Sequence, residues 1–335
     1  MQSKIRIAAV ALALTGLAWT GYWVGAKVWL RGAIADWAAA REAEGFTVGI
    51  TEQDITGFPF ALEVHFPAPT LGRLDDRESW VWMPDRLDIT LRPWAFDRAR
   101  IQLPAEQRFS RLDAEGRVWL LTLRMAAGEA NVVFSGGVLD RLDIEAHEVE
   151  IQAPPGAGRI GRVTVRGRRG ADGAALVTLT LDDITLPPGA GAGLGRDIAR
   201  LFAETAASGP LPRTPDAAGL DAWRVAGGAI DVTRLEIEWG PLSVSADGTL
   251  ALDDALRPLA ALTARIVGYG AVLEALAAAG VVEQRDASFA TTALNLIATR
   301  DARGRRVLTV PVTAQNGVLM VGPIAIARLA PIVTR

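Results

Sequence analysis

The chain has 335 residues and a formal net charge of −3, with 35 Lys and Arg against 38 Asp and Glu. The basic residues are scattered, so they draw no electrostatic footprint for nucleic acid. Cysteine is absent, which excludes disulfides, thiolate nucleophiles and cysteine metal sites, while half the residues are hydrophobic and can bury a sizeable core.

Residues 7–26 read IAAVALALTGLAWTGYWVGA and carry no charge. At about 1.5 Å per residue this run spans roughly the 30 Å of a bilayer's hydrocarbon core. Lys4 and Arg6 precede it, as in a secretory signal. A cleaved signal has a shorter apolar core of about 7–15 residues with a small-residue site directly after it. Here the nearest such site, Ala38-Ala39-Ala40, stands well past the core. Residues 1–30 are therefore expected to be an uncleaved transmembrane anchor with a short cytoplasmic tail. Trp19, Tyr22, Trp23 and Trp29 cluster where amphipathic rings prefer the headgroup zone. Flanking charges are nearly tied, Lys4 and Arg6 against Lys27 and Arg31. A very short tail before a long domain favours the tail staying inside.

Residues 28–44 are predicted to continue as helix, with Gly45 at a C-cap glycine position. Gly57-Phe58-Pro59-Phe60 is a turn, because Pro59 fixes its own φ and restricts Phe58. Phe58 and Phe60 are expected to pack on the first sheet. Leu62, Val64 and Phe66 then alternate with polar neighbours, the period of a half-buried strand. The pattern recurs at Leu87, Ile89 and Leu91, at Leu142 and Ile144, and at Val177, Leu179 and Leu181. It is cleanest at Leu235, Ile237 and Trp239, which oppose Arg234, Glu236 and Glu238. Leu308, Val310 and Val312 repeat it near the end. Such segments suit antiparallel sheet with one apolar and one wet face. Arg-Leu-Asp/Glu-Ile recurs at 86, 141 and 234, at unequal spacings. A solenoid needs a fixed period, so these are similar strands rather than repeats.

Leu194, Ile198, Leu201, Phe202 and Thr205 fall on one helical stripe and predict a helix. Residues 271–279 predict a second, and residues 289–298 a third or, alternatively, a strand. Residues 208–219, with Pro210, Pro212 and Pro215, are the candidate boundary between two lobes.

Residues 189–196 are glycine-rich, but a dinucleotide fingerprint starting at Gly191 would end on Arg196 and no Gly-Lys-Ser/Thr follows. A flexible loop is expected there. His65 and His147 sit on polar strand faces; His147 lies near Glu145, Glu148 and Glu150, yet solvated surface histidine is the expected state. Asp75-Asp76, Asp182-Asp183 and Asp253-Asp254 are adjacent pairs, and adjacent strand residues point to opposite faces, so turn solvation explains them better than an acid/base dyad. No G-x-S-x-G or H-E-x-x-H motif is present. No cofactor is expected.

Three pieces resemble a known family: Gly57-Phe58-Pro59-Phe60 after a membrane-proximal helix; Gly240-Pro241-Leu242 leading into Ser245-Ala246-Asp247-Gly248-Thr249-Leu250; and Asn316-Gly317 followed by Gly322-Pro323-Ile324. Together they look like the bacterial domain-of-unknown-function family numbered 2125. That resemblance implies a bacterial inner-membrane anchor with the bulk of the chain, residues 31–335, in the periplasm. It implies no catalytic residues. Residues 240–280 also resemble AsmA-like envelope proteins, which implies a lipid-carrying sheet groove.

The expected fold is α+β and predominantly antiparallel β: one N-terminal transmembrane helix, then an elongated, curled sheet region with a few short helices. The expected function is non-enzymatic. Leu142, Ile144, Leu235, Ile237 and Trp239 would line an apolar groove for lipid or an acyl chain. The alternative is a structural or interaction module of the cell envelope with a closed core. Candidate partners are the membrane, lipid and other envelope proteins.

Overall fold

The computed structural model describes the chain except residues 1, 51–52, 74–78, 113–115, 155, 171–172, 192, 210–216, 279, 281–282 and 334–335. The pair Asp75-Asp76 lies outside the described residues. The chain divides into two compact units. Unit 1 comprises residues 1–138 and 151–154, and unit 2 comprises residues 139–150 and 155–335.

Helix α1 runs unbroken over Gln2–Ala43. No proline interrupts it, and alanine is its commonest residue, which offsets the weak propensity of Gly16, Gly21, Gly25 and Gly32. It stops where Gly45 takes φ +86° and donates back to the Glu42 carbonyl at 2.9 Å, as a left-handed glycine cap does. It is long and apolar enough to cross a membrane. The helix has two regimes. Ile5, Val10, Leu12 and Leu17 are exposed, whereas Trp23, Ala26 and Leu30 are buried. Those three follow 3–4 spacing and lie on one face.

That face is covered by unit 1. One ladder there joins β2 (Asp54–Thr56), β3 (Leu62–Pro67), β6 (Arg86–Arg92), β7 (Ala95–Gln102) and β10 (Ala127–Ser135), all antiparallel. A second joins β1 (Phe46–Gly49), β4 (Thr70–Arg73), β5 (Ser79–Pro84), β8 (Glu106–Leu112) and β9 (Val118–Arg124). In β3 the alternation puts Leu62, Val64 and Phe66 inward at 0, 1 and 6% exposure. Leu91, Ile89 and Leu87 stand opposite them on β6. With Ile55 they form the core against Trp23, Ala26 and Leu30. The last turn of the apolar run, with Leu30 beyond it, thus lids the core of unit 1. An apolar stripe buries against whatever apolar face meets it, and β3 supplies one.

The turn between β2 and β3 differs from expectation. Phe58 is 52% and Phe60 70% exposed, so neither packs into the sheet core. The ladder ends at Thr56 and Glu63, and the turn projects beyond it. Gly57 holds φ +95°, and a Cβ there would stand 2.9 Å from the Ala61 carbonyl oxygen, so the tight turn requires glycine.

Unit 2 is an antiparallel meander of long strands. Strand β11 (Val138–Ala153) contributes residues to both units. In unit 2 follow β12 (Gly156–Arg169), β13 (Ala175–Thr185), β14 (Asp197–Ala207), β15 (Ile230–Trp239), β16 (Leu242–Leu252) and β17 (Pro258–Val267), each paired with the next from β12 onward. Then β19 (Arg306–Gln315) pairs with β17, with β18 (Thr299–Arg300) and with β20 (Val318–Val321), which pairs with β21 (Ile324–Arg328). Helices α2 (Ala217–Val225), α3 (Tyr269–Ala278) and α4 (Gln284–Ile297) are inserted among them. The family-like motifs are its turns. Gly240-Pro241 joins β15 to β16, and Asn316-Gly317, at φ +52° and +73°, joins β19 to β20. Positive φ at both central residues is what a two-residue hairpin loop demands.

The helix expected at residues 194–205 is absent: residues 197–207 are strand β14. Leu201, Ala203 and Thr205 face one way, and Phe202 and Glu204 the other. A shift between Ile198 and Arg200 lets the apolar positions mimic a helical stripe. Pairing on both edges, with β13 and β15, outweighs local propensity. Pro210, Pro212 and Pro215 of the candidate lobe boundary lie outside the described residues, and α2 begins at Ala217.

Candidate functional site

Register places the predicted groove residues on one face of unit 2. Ile237 stands opposite Leu201, which stands opposite Leu181, which stands opposite Val163. Leu235 continues likewise through Ala203 and Leu179 to Val165. In the other direction the two rows run through Val244 and Ala246, then Ile266 and Ala264, to Leu308 and Val310. Directly opposed residues share a face, so two apolar rows cross seven strands. Leu142 belongs to the same face: a Cβ added to Gly167 would lie 3.5 Å from the Leu142 Cβ, and Gly167 opposes Val177. Ile144, two residues on, follows Leu142 by strand alternation.

A bulge keeps the face continuous. Val232 and Leu235 differ by an odd number and would point to opposite faces on a regular strand. Their partners on β16 are Gly248 and Ala246, so β15 carries one extra residue. That insertion resets the alternation. Thr233 uses it to donate to the Glu204 carbonyl at 3.0 Å.

The opposite face is polar. Arg234 bonds Glu236 at 2.7 Å and lies over the Phe202 ring, 5.1 Å from its centroid. Arg141, Asp143, Arg166, Arg168 and Glu204 line a cavity on that face.

Cover over the apolar face is uneven. Tyr269 of α3 and Leu294 of α4 pack with Ala246, Ala264, Leu308 and Val310, which are buried, and Leu235 and Val244 border that cluster. On β12, β13 and β14 no described residue is buried. Trp239, at the end of the face, donates its Nε1–H to the Gly195 carbonyl at 3.0 Å. The glycine-rich loop is therefore held, not free. A Cβ on Gly193 would stand 2.6 Å from the Ala275 carbonyl oxygen of α3, so glycine permits the close approach. Its geometry serves packing.

Unit 1 holds a feature the sequence reading missed. A cavity of about 430 Å³ lies between α1 and the strands, lined by Ala33, Ile34, Trp37, Val48, Ile50, Phe66, Leu71, Trp82, Leu87 and Ile89, with Pro69 and Thr70. Ile34 and Trp37 extend the Trp23–Ala26–Leu30 stripe. That periodicity was a usable signal, but nothing local says the strand beneath stops short of it.

The histidines have ordinary partners. His65 Nδ1 lies 2.8 Å from Asp88 Oδ1, and its Nε2 lies 3.2 Å from Thr56 Oγ1. The order hydroxyl, imidazole, carboxylate invites comparison with a nucleophile relay. However, Arg86 bonds Asp88 at 2.7 Å and lies 3.1 Å from His65 Nδ1, and Thr56 is exposed on an open strand face. The arrangement is a cross-strand ladder of polar side chains. Partial burial pushes the Asp88 carboxyl up, but hydrogen bonds from Arg86 and His65 outweigh it and hold it below the usual range. His147 lies 3.1 Å from Glu145, while Glu148 bonds Arg159 at 2.7 Å. Among the described residues no group of three or more His, Asp or Glu is placed to hold a metal ion. Asp253 organises a turn, accepting from the Ala255 and Arg257 amides and from Arg257 Nε at 2.7–2.9 Å. Asp301 and Arg305 repeat that turn.

No curated protein and no solved structure matches the chain. A family model does, over residues 23–330, beginning at the first residue of the buried helical stripe. The chain belongs to the family of uncharacterised proteins conserved in bacteria designated DUF2125.

Proposed function

We propose that this protein is a non-enzymatic, membrane-tethered component of the bacterial envelope that holds a lipid or acyl chain on the apolar face of unit 2. It would be anchored once in the inner membrane by α1, with the bulk of the chain in the periplasm. One observation carries the reading. The apolar rows continue across β12, β13 and β14 without a single buried side chain, while α3 and α4 cover the same rows at β16–β19. An apolar face that its own fold covers only in part is a candidate binding surface. The covered end supports the alternative, a structural module with a dry core.

The test is lipid extraction and mass spectrometry on the purified full chain, with Ile237→Glu as variant and Glu236→Gln as outward-facing control. If the face is open, water reaches the new carboxylate, the fold survives and bound lipid is lost. If it is a closed core, a carboxylate without a partner unfolds the unit. Unfolding of Ile237→Glu, with no lipid on the unmutated protein, rejects the groove. Lipid retained by a folded Ile237→Glu would move the site to the unit-1 cavity, and Ile34→Glu would then remove it. A periplasm-active reporter fused after Arg335 tests the compartment; an inactive reporter overturns it.

A further inference from the structure

The membrane helix and the soluble strands compete for the same residues. The charge-free interval from Arg6 to Lys27 rises roughly 31 Å at about 1.5 Å per residue, the thickness of the hydrocarbon core. Yet unit 1 already touches the helix well inside that interval. Trp19 donates its indole N–H to the Pro59 carbonyl at 3.0 Å and lies 6.1 Å from the Trp94 ring. Tyr22 donates to the Pro93 carbonyl. From Arg6 to Trp19 the rise is only roughly 20 Å, too short to cross.

We infer that unit 1 does not stand clear of the bilayer: the turn at residues 57–60 and the Pro93-Trp94 corner are seated in its outer interface as an aromatic collar around α1. This rests on the reading of α1 as a membrane anchor. When the full hydrocarbon thickness is spanned up to Lys27, the level of Trp23 to Trp19 falls about 6–12 Å inside the boundary, which overlaps the depth of about 5–10 Å to which interfacial apolar faces sink.

Two independent features of the collar fit a lipid environment. Its side chains are large, apolar and exposed: Phe58 is 52%, Trp94 55% and Phe60 70% accessible. Several backbone carbonyls in and beside it accept from the helix. Trp19 bonds Pro59, Trp23 bonds Ala61 at 2.8 Å, and Lys27 bonds Ile55. An unpaired carbonyl in hydrocarbon costs several kcal/mol, so these bonds permit non-helical backbone at this depth. Lys27, the first charge after the run, sits at the wet end of the collar, with its ammonium 5.6 Å from the Trp23 ring centroid.

The chain has no cysteine, so one introduced thiol reports one position. Phe60→Cys, Trp94→Cys, Leu12→Cys within the span, and Glu42→Cys would each be made in the full chain. Glu42 is exposed in the last turn of α1, roughly 35 Å beyond Trp19. Each variant is labelled with an environment-sensitive fluorophore and reconstituted into phosphatidylethanolamine/phosphatidylglycerol vesicles containing doxyl-labelled lipid. Phe60→Cys is exposed enough to leave the fold intact, and Trp94→Cys gives a second reading. The expected result is quenching by doxyl lipid several-fold stronger at positions 60 and 94 than at 42, with the order reversed for aqueous iodide. Iodide access at 60 and 94 equal to that at 42, with Leu12→Cys still quenched by lipid, overturns the collar and leaves the anchor standing. Absence of lipid quenching at position 12 as well overturns both.

Discussion

Units 1 and 2 are built from the same kind of strand, yet they bury it differently: unit 1 closes a deep core on β3, whereas the most buried positions of unit 2, such as Leu256 beside Trp223 of α2, gather where a helix lies. In unit 1, Leu62, Val64 and Ile55 are at most 1% exposed, because α1 lies across their face. In unit 2 the strands are longer and the apolar rows more regular, but β12, β13 and β14 hold no buried residue among those described. Alternation makes a face apolar without burying it. Burial requires a second layer, and here the layers are α1 for unit 1 and α2, α3 and α4 for parts of unit 2. The difference teaches that an identical sequence pattern yields core or accessible surface according to where a helix lands.

The largest expected effect probes the closed side. Leu62→Ala removes a fully buried side chain and should cost about 2–5 kcal/mol, read by equilibrium urea unfolding of the detergent-solubilised chain. Leu179→Ala, the corresponding change on the less covered face, should cost less, about 1–2 kcal/mol, since a partly exposed leucine gives up only part of its transfer energy. Equal losses at the two positions would break the comparison, because they would mean that the β13 face is covered after all.

Acid should erode both units in the same direction. Asp88 in unit 1 and Asp253 in unit 2 are both depressed. At Asp253 burial pushes the carboxyl up, but bonds from the Arg257 amide and guanidinium and the Ala255 amide prevail. A carboxyl whose pKa is lower folded than unfolded adds stability above its unfolded value, near 4. That stability is lost as pH falls through the folded value. The urea midpoint should therefore drop as pH is lowered below about 4, and the drop should shrink in Asp88→Asn and Asp253→Asn. A midpoint that ignores pH in this window would show both pairs to be fully screened.

The smallest effect sharpens the comparison at the membrane end. Phe60→Ala should change the unfolding free energy by no more than about 0.5 kcal/mol in detergent, as exposed substitutions do. A shift of several kcal/mol would show that the ring is buried.

Much of the fold was legible in particular residues. The alternation at Leu62, Val64 and Phe66 and at Leu235, Ile237 and Trp239 became strands, with Glu236 and Arg234 outward as the period requires. Gly45 and Gly280 stand at positive φ just past α1 and α3. Failures occurred where two periods fit the same letters. Residues 198–205 fit a helical stripe by spacing, yet in the strand a register shift puts Ile198 and Leu201 on one face and leaves Phe202 on the other. Phe58 and Phe60 looked like core because a phenyl ring's hydrophobicity does not say whether protein or lipid covers it.

By itself the sequence determined which residues can share a face, where tight turns must form, and that a charge-free stretch of membrane length stands near Arg6. These are local properties, set by periods of 2 and 3.6 and by the φ that glycine and proline allow. Only the tertiary structure decided what lies against each face. It laid Trp23 and Ala26 of the apolar run, with Leu30 beyond it, onto β3, placed α3 and α4 over one end of the unit-2 rows, and left the other end without a buried side chain among the described residues. Those outcomes depend on contacts between residues far apart in the chain, and a period carries no information about its partner.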